Sequence, residues 1–153
     1  MLLSGINHVA VLTGDTQRLC EFYESVFDAT NDAIESQDGF RLTIIWIGDY
    51  AELNVFELQG NTEHERQVPM FGRGRLDHLA LHAASLDAFD TIRTRLMERG
   101  ASDGFVTDFG PLLSLFFRDP DGLESEVCIQ NPDAQPGVTN PPGTPSRRYH
   151  SED

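Results

Sequence analysis

The 153-residue chain contains no lysine; all eleven of its basic residues are arginine. This excludes chemistry that needs a lysine amine: a Schiff base, a pyridoxal-phosphate anchor or the phosphate lysine of a Walker loop. No Gly-x-Gly-x-x-Gly follows a predicted strand, so the dinucleotide fingerprint is missing as well. The segment Phe71-Gly72-Arg73-Gly74-Arg75 precedes a strand and reads as a linker. Positive charge is scarce overall. A formal net charge of -14 argues against nucleic acid, whose phosphates need Lys and Arg partners, and against anionic membrane surfaces. No run approaches the ~18 consecutive apolar residues of a membrane span. Met1 to Leu3 is too short for a signal peptide, so a cytoplasmic protein is expected. There are only two cysteines. Cys20 falls in a predicted helix and Cys128 in a predicted strand. They make no disulfide framework and read as small apolar residues in a reducing compartment.

What the chain does have is an internal echo. Ile6-Asn7-His8-Val9-Ala10-Val11 matches Leu76-Asp77-His78-Leu79-Ala80-Leu81. Each segment predicts a strand, then a polar turn, then an amphipathic helix. The first strand is expected over 4–13, with His8, Ala10 and Leu12 on one face. A helix over 16–28, capped by Asp15 or Thr13, carries the stripe Leu19, Phe22, Tyr23, Val26 and Phe27. Strands follow over 30–36, 40–47 and 51–58, with turns at Gln37-Asp38-Gly39 and Gly48-Asp49. Residues 61–74 form the connector. The second half repeats the order: a strand over 75–82, a helix over 86–99 capped by Ser85 and stopped by Gly100, then strands over 103–108, 112–118 and 122–130. Two βαβββ modules, 4–60 and 75–130, are thus expected in one domain spanning 1–130. Beyond Gln130 five of the eight prolines accumulate among few apolar residues. The tail 131–153 therefore predicts an extended or disordered segment, with Tyr149 and Arg147-Arg148 as possible anchors on a partner subunit.

His8 and His78 occupy the same place in the two repeats, and Glu126 lies on the last strand after the turn Asp119-Pro120-Asp121-Gly122. Two imidazoles and one carboxylate suit a divalent transition metal with open positions. Glu126 shares its strand face with Glu124 and Cys128, and two adjacent inward carboxylates need a compensating cation or solvent. His82, four residues after His78, shares that face about 13 Å farther along the strand and can line a cleft as acid/base. His64 and His150 sit in polar segments and are expected to be solvated. Trp46, Phe56, Phe109 and Phe116 are candidates for an apolar substrate wall. Arg41 and Arg118 are candidates for holding an anionic group.

The residues Asn7-His8-Val9-Ala10 with Phe22-Tyr23, Asp77-His78-Leu79-Ala80, and Phe117-Arg118-Asp119-Pro120-Asp121-Gly122-Leu123-Glu124-Ser125-Glu126 resemble the vicinal oxygen chelate superfamily. That superfamily includes glyoxalase I, methylmalonyl-CoA epimerase, extradiol dioxygenases, and fosfomycin and bleomycin resistance proteins. The resemblance spans about 4–130. It implies an α+β fold of two tandem βαβββ modules whose curved mixed sheets surround a metal and substrate cleft. It places His8, His78 and Glu126 on metal-ligand positions. A fourth family position falls in Leu53-Asn54-Val55-Phe56-Glu57, where Asn54 stands in place of the usual Glu or Gln. Glu52 would serve if the register slips by two, and Glu57 faces the other way. A neutral Asn54 cannot act as a base, which disfavours glyoxalase I chemistry unless Glu52 replaces it.

The resemblance thus implies a metal-dependent lyase, isomerase or dioxygenase acting on a small oxygen-rich molecule, with Glu126, Glu52 and His82 as its expected catalytic residues. Asn54, Phe56, Trp46 and Arg118 are its expected substrate contacts. Zn, Ni, Mn and Fe(II) are all compatible with these nitrogen and oxygen ligands, and family habit implies a homodimer. The alternative is a drug-sequestering protein of the bleomycin-resistance kind, which needs an aromatic groove rather than a metal.

Overall fold

A computed structural model describes Leu2 and residues 5–150. The predicted strand start at Ser4 and the last three residues of the tail lie outside them. The chain forms two compact units. The first runs through Val68 and includes Asp119–Gly122; the second comprises Pro69–Arg118 and the chain from Leu123.

The first unit carries β1 (His8–Thr13), α1 (Thr16–Phe27), β2 (Thr30–Gln37), β3 (Phe40–Trp46) and β4 (Glu52–Leu58). Its sheet runs β1-β4-β3-β2, with β1 parallel to β4 and the other pairs antiparallel. Helix α1 begins where Asp15 accepts the Arg18 N–H at 3.0 Å, an N-cap that satisfies an otherwise orphaned donor. It ends at Asp28 in the left-handed region, φ 54°. Its apolar stripe, Leu19, Phe22, Tyr23 and Val26, is buried with Ile45, Leu53 and Val55 of the sheet. Burying each such side chain contributes about 1.5–3 kcal/mol. Strand β2 is mostly exposed and breaks register at Ile34.

The second unit repeats the order with β5 (Leu79–His82), α2 (Leu86–Glu98), β6 (Val106–Asp108), β7 (Leu112–Arg118) and β8 (Glu124–Gln130). Its sheet runs β5-β8-β7-β6 with the same pattern of one parallel and two antiparallel pairs. Ser85 accepts the Ala88 N–H at 3.1 Å to start α2, and Gly100 at φ 65° follows its end. Phe89, Leu96, Val106, Leu113, Leu115, Phe117 and Val127 form the core. The fold is thus α+β, two βαβββ modules, as the duplication predicts. Several strands are shorter than expected: β1 and β5 begin only at His8 and Leu79, β6 only at Val106 and β8 only at Glu124.

Of the two states expected for the tail, extended or disordered, the described residues show the extended one, docked on its own unit. Residues 131–150 run without helix or ladder along the second unit's own β6. Asp108 donates its N–H to Thr144 O at 2.8 Å and Ser146 donates to Val106 O at 3.0 Å. The Tyr149 ring lies 5.8 Å from Phe89, and its hydroxyl donates to Asp90 at 2.6 Å. His150, expected to be solvated, is instead half-buried. Its Nε2 accepts the Val106 N–H at 2.9 Å and its ring stacks on Phe105. The apolar count of the tail misses this, because its docking rests on covering a sheet edge and on aromatic contacts.

Candidate functional site

The second unit brings two predicted ligands together. His78 Nε2 lies 3.1 Å from Glu126 Oε1, and His78 Nδ1 lies 2.8 Å from Asp77 Oδ2. The other Glu126 oxygen accepts the hydroxyl of Ser114, a fully buried residue of β7. Both imidazole nitrogens therefore face carboxylates. The Asp77 hydrogen bond, and secondarily the Glu126 charge, raise the His78 pKa above its ordinary 6.5 against the opposing effect of burial. An unprotonated Nε2 beside an anionic oxygen is unfavourable without a cation. A proton can supply that charge, and so can a metal ion. Two donors sharing one metal at about 2.0–2.2 Å each lie roughly 3–3.4 Å apart, so the 3.1 Å separation fits a bound ion. The Asp77 contact is the outer carboxylate that orients a ligating histidine.

Glu124 is the adjacent carboxylate that the sequence leaves uncompensated. Arg118 holds it at 2.7 Å and Arg73 at 3.0 Å, and the Met70 N–H donates to it at 3.0 Å. Arg118 above all keeps its pKa low. Arg118 would therefore reach a substrate anion only by leaving Glu124. Cys128 sits two residues past Glu126. Burial, followed by the Glu126 charge, pushes its thiol up to about 12, so it stays protonated and is no nucleophile. His82 is exposed and in register with Cys128. Phe116 packs edge-on against His78, with ring centres 6.1 Å apart.

In the first unit His8 Nδ1 lies 2.8 Å from Asn7 Oδ1, the counterpart of the Asp77 contact. The β1–β4 register pairs His8 with Glu52, Ala10 with Asn54 and Leu12 with Phe56. In the second unit Ala80 pairs with Glu126 and His82 with Cys128. Asn54 is therefore the counterpart of Glu126, and Glu52 that of Glu124. Asn54 Oδ1 is buried and accepts no hydrogen bond among the described residues. Phe56 lies beside Phe40, with ring centres 6.1 Å apart, and Trp46 donates its ring N–H to Asp32 at 2.8 Å. Glu57 faces the other way and accepts the Thr16 N–H at 2.9 Å at the start of α1; Arg41 also contacts it at 3.3 Å. His64, expected to be solvated, is packed over Gly14, where an added Cβ would sit 2.5 Å from its ring. Within this unit Asp121 of the Asp-Pro-Asp-Gly turn accepts from Thr13 Oγ1 and from Arg18, each at 2.6 Å.

Among the described residues no group of three or more His, Cys, Asp and Glu side chains is gathered to hold a metal ion. His78 and Glu126 are paired in one unit, and His8 belongs to the other. Sequence reasoning missed Ser114 and Arg73. The signal for Ser114 was present: it is a lone hydroxyl in Leu112-Leu113-Ser114-Leu115, in register with Cys128 and hence on the face of Glu126. Arg73 carried no comparable signal.

Two mixed βαβββ sheets, with His8 heading the first strand of one and His78 just before that of the other, define a duplicated α+β protein. The chain belongs to the Glyoxalase/Bleomycin resistance protein/Dioxygenase superfamily, whose family model matches residues 5–127. Solved structures share the fold. A glyoxylase/bleomycin resistance protein/dioxygenase domain from Frankia sp. EAN1pec is 23% identical, covering 86% of this chain and 95% of its own, with a TM-score of 0.68. A mutant of the fosfomycin resistance protein FosX from Listeria monocytogenes, complexed with Mn(II) and 1S,2S-dihydroxypropylphosphonic acid, is 16% identical. It covers 82% of this chain and 92% of its own, with a TM-score of 0.61. The oxidase ChaP-H2 is 20% identical, covering 88% and 98%, with a TM-score of 0.58. None of the curated proteins compared matches the chain. No helix among the described residues is long and apolar enough to cross a membrane.

Proposed function

We propose that this protein is a divalent-metal-dependent enzyme acting on a small oxygen-rich molecule, of the lyase, isomerase or dioxygenase class, and that it works as a cytoplasmic homodimer. The observation that carries this reading is the 3.1 Å pairing of His78 Nε2 with Glu126 Oε1, each held from behind by its own partner. His8, His78 and Glu126 are the proposed ligands. A bound ion would supply Lewis acidity and open positions for neighbouring substrate oxygens. Zn, Ni, Mn and Fe(II) are the candidates, and the Mn(II) complex of the FosX mutant supports Mn among them. Asp77 fixes the His78 ring so that Nε2 faces the site. Ser114 fixes the Glu126 carboxylate. Asn54, a neutral group at the place equivalent to Glu126, is the proposed hydrogen-bond partner of a substrate oxygen. His82 and Glu52 are the groups proposed to move a proton, and Phe56, Phe116 and Trp46 the proposed apolar wall.

Metal analysis of protein purified without chelator tests the reading. Stoichiometric metal that is lost in His8→Ala and in His78→Ala is the expected result. Protein that is metal-free under these conditions, takes up no added divalent ion and binds an aromatic ligand would refute it in favour of a sequestering role.

A further inference from the structure

The strongest unused feature is the segment Phe71-Gly72-Arg73-Gly74-Arg75, a plain connector by composition. In the structure it turns Arg73 inward. Phe71 takes a left-handed backbone, φ 67°, and Gly74 takes φ 103°, a region open to glycine and strained for phenylalanine. The Phe71 N–H is held by Asp77 Oδ1, the same carboxylate whose other oxygen meets His78. The Arg73 side chain is only 9% exposed. Its NH1 donates to Asp77 O at 3.1 Å and to Glu124 O at 3.0 Å, and its NH2 donates to Glu124 Oε2 at 3.0 Å.

These contacts fall where the β5–β8 ladder stops. The first paired residues are Leu79 and Ser125, so His78 lies just before the ladder. Across that gap Arg73 ties the carbonyl of the residue preceding His78 to the carbonyl of the residue two before Glu126. A rigid guanidinium fork can bridge three acceptors in this way; an ammonium on a flexible stem cannot hold the same spacing.

We infer that Arg73 is a positioning residue that sets the separation of His78 and Glu126, making the 69–75 connector part of the site. The inference rests on the metal-site reading above, and its test separates the two. Arg118 is the internal control, because it neutralises the same Glu124 carboxylate but is exposed and bonds to its other oxygen.

The experiment titrates Co(II) into the wild type, His78→Ala, Arg73→Met, Arg73→Lys and Arg118→Met, following visible absorption. The imidazole 15N shifts of His78 are recorded before metal is added. Arg73→Met is expected to weaken Co(II) binding about 10- to 100-fold, the usual effect of losing an outer support, and to alter the visible band. Arg73→Lys should fall between it and the wild type, and Arg118→Met should stay near the wild type. Arg73→Lys also decides the matter if the methionine variant does not fold. Wild-type affinity and spectrum in both Arg73 variants would overturn the inference. If the wild type binds no Co(II), or His78→Ala binds it equally well, the metal reading falls and the 15N shifts decide. Displacement in the Arg73 variants but not in Arg118→Met sustains the positioning role. Unchanged shifts, or equal displacement in all three, overturn it.

Discussion

Replacing Ser114 with alanine should weaken the protein through Glu126. Ser114 has no solvent exposure, and its hydroxyl donates to the Glu126 carboxylate, whose side chain is only 13% exposed. The substitution removes one oxygen, so the cavity it leaves is small. The larger loss is a hydrogen bond to an ionised acceptor, about 1.5–3 kcal/mol. For a chain of this length that is a fall in Tm of roughly 3–12 °C. Cys128 lies on the same face and remains protonated, but a thiol is a weak donor and restores little.

A double-mutant cycle isolates the contact. Ser114→Ala, Glu126→Gln and the double variant are compared with the wild type by urea denaturation in the presence of chelator. The expected coupling between the two positions is about 1–2 kcal/mol, within the range for residues in direct contact. Metal affinity of Ser114→Ala should fall as well, since the carboxylate loses its anchor. A coupling below about 0.5 kcal/mol, the scatter expected of independent sites, would refute the view that Ser114 holds Glu126.

Two further outcomes follow from the second unit. The His78 pKa is raised on folding, first by its hydrogen bond to Asp77, so its contribution to metal-free stability is complete below about pH 6.5 and is lost as pH rises through the folded value. Thermal melts in chelator should show this alkaline loss in the wild type and a flatter profile in Asp77→Asn; equal profiles would contradict the pairing. In the tail, His150→Leu removes the acceptor for the Val106 N–H. It should destabilise by about 1–3 kcal/mol and speed hydrogen exchange at Val106, and an unchanged exchange rate would show that the tail does not dock there.

The architecture was legible because duplication prints it twice. Helical stripes, the Asp15 and Ser85 caps and the Gly100 stop are local signals, and each predicted element is present. Strand starts were less legible. Alternation continues through Asn7 and Asp77, yet the paired residues begin only at His8 and Leu79; at Asp77 the backbone carbonyl accepts from Arg73. Repeat equivalence also helps with the choice between Asn54 and Glu52, but only once strand register is known, because a shift of two residues leaves the facing pattern unchanged. With Ala10 opposite Asn54 and Ala80 opposite Glu126, the acid at 52 becomes the counterpart of Glu124.

What remained hidden shares one physical cause: the partner is distant in sequence and the deciding group is often backbone. Arg73 finds Glu124 across 51 positions, and His150 finds Val106 across 44. Composition counts apolar atoms and formal charges, so it reads a glycine-arginine stretch as a linker and a proline-rich end as an extended or disordered tail. Backbone donors and acceptors left at a sheet edge, or where a ladder stops, carry a desolvation penalty that composition does not register. Arg73 and the tail each occupy such a place. Segments without a core of their own are thus recruited where the sheets leave backbone groups unpaired, and in this chain one of those places adjoins the His78–Glu126 pair.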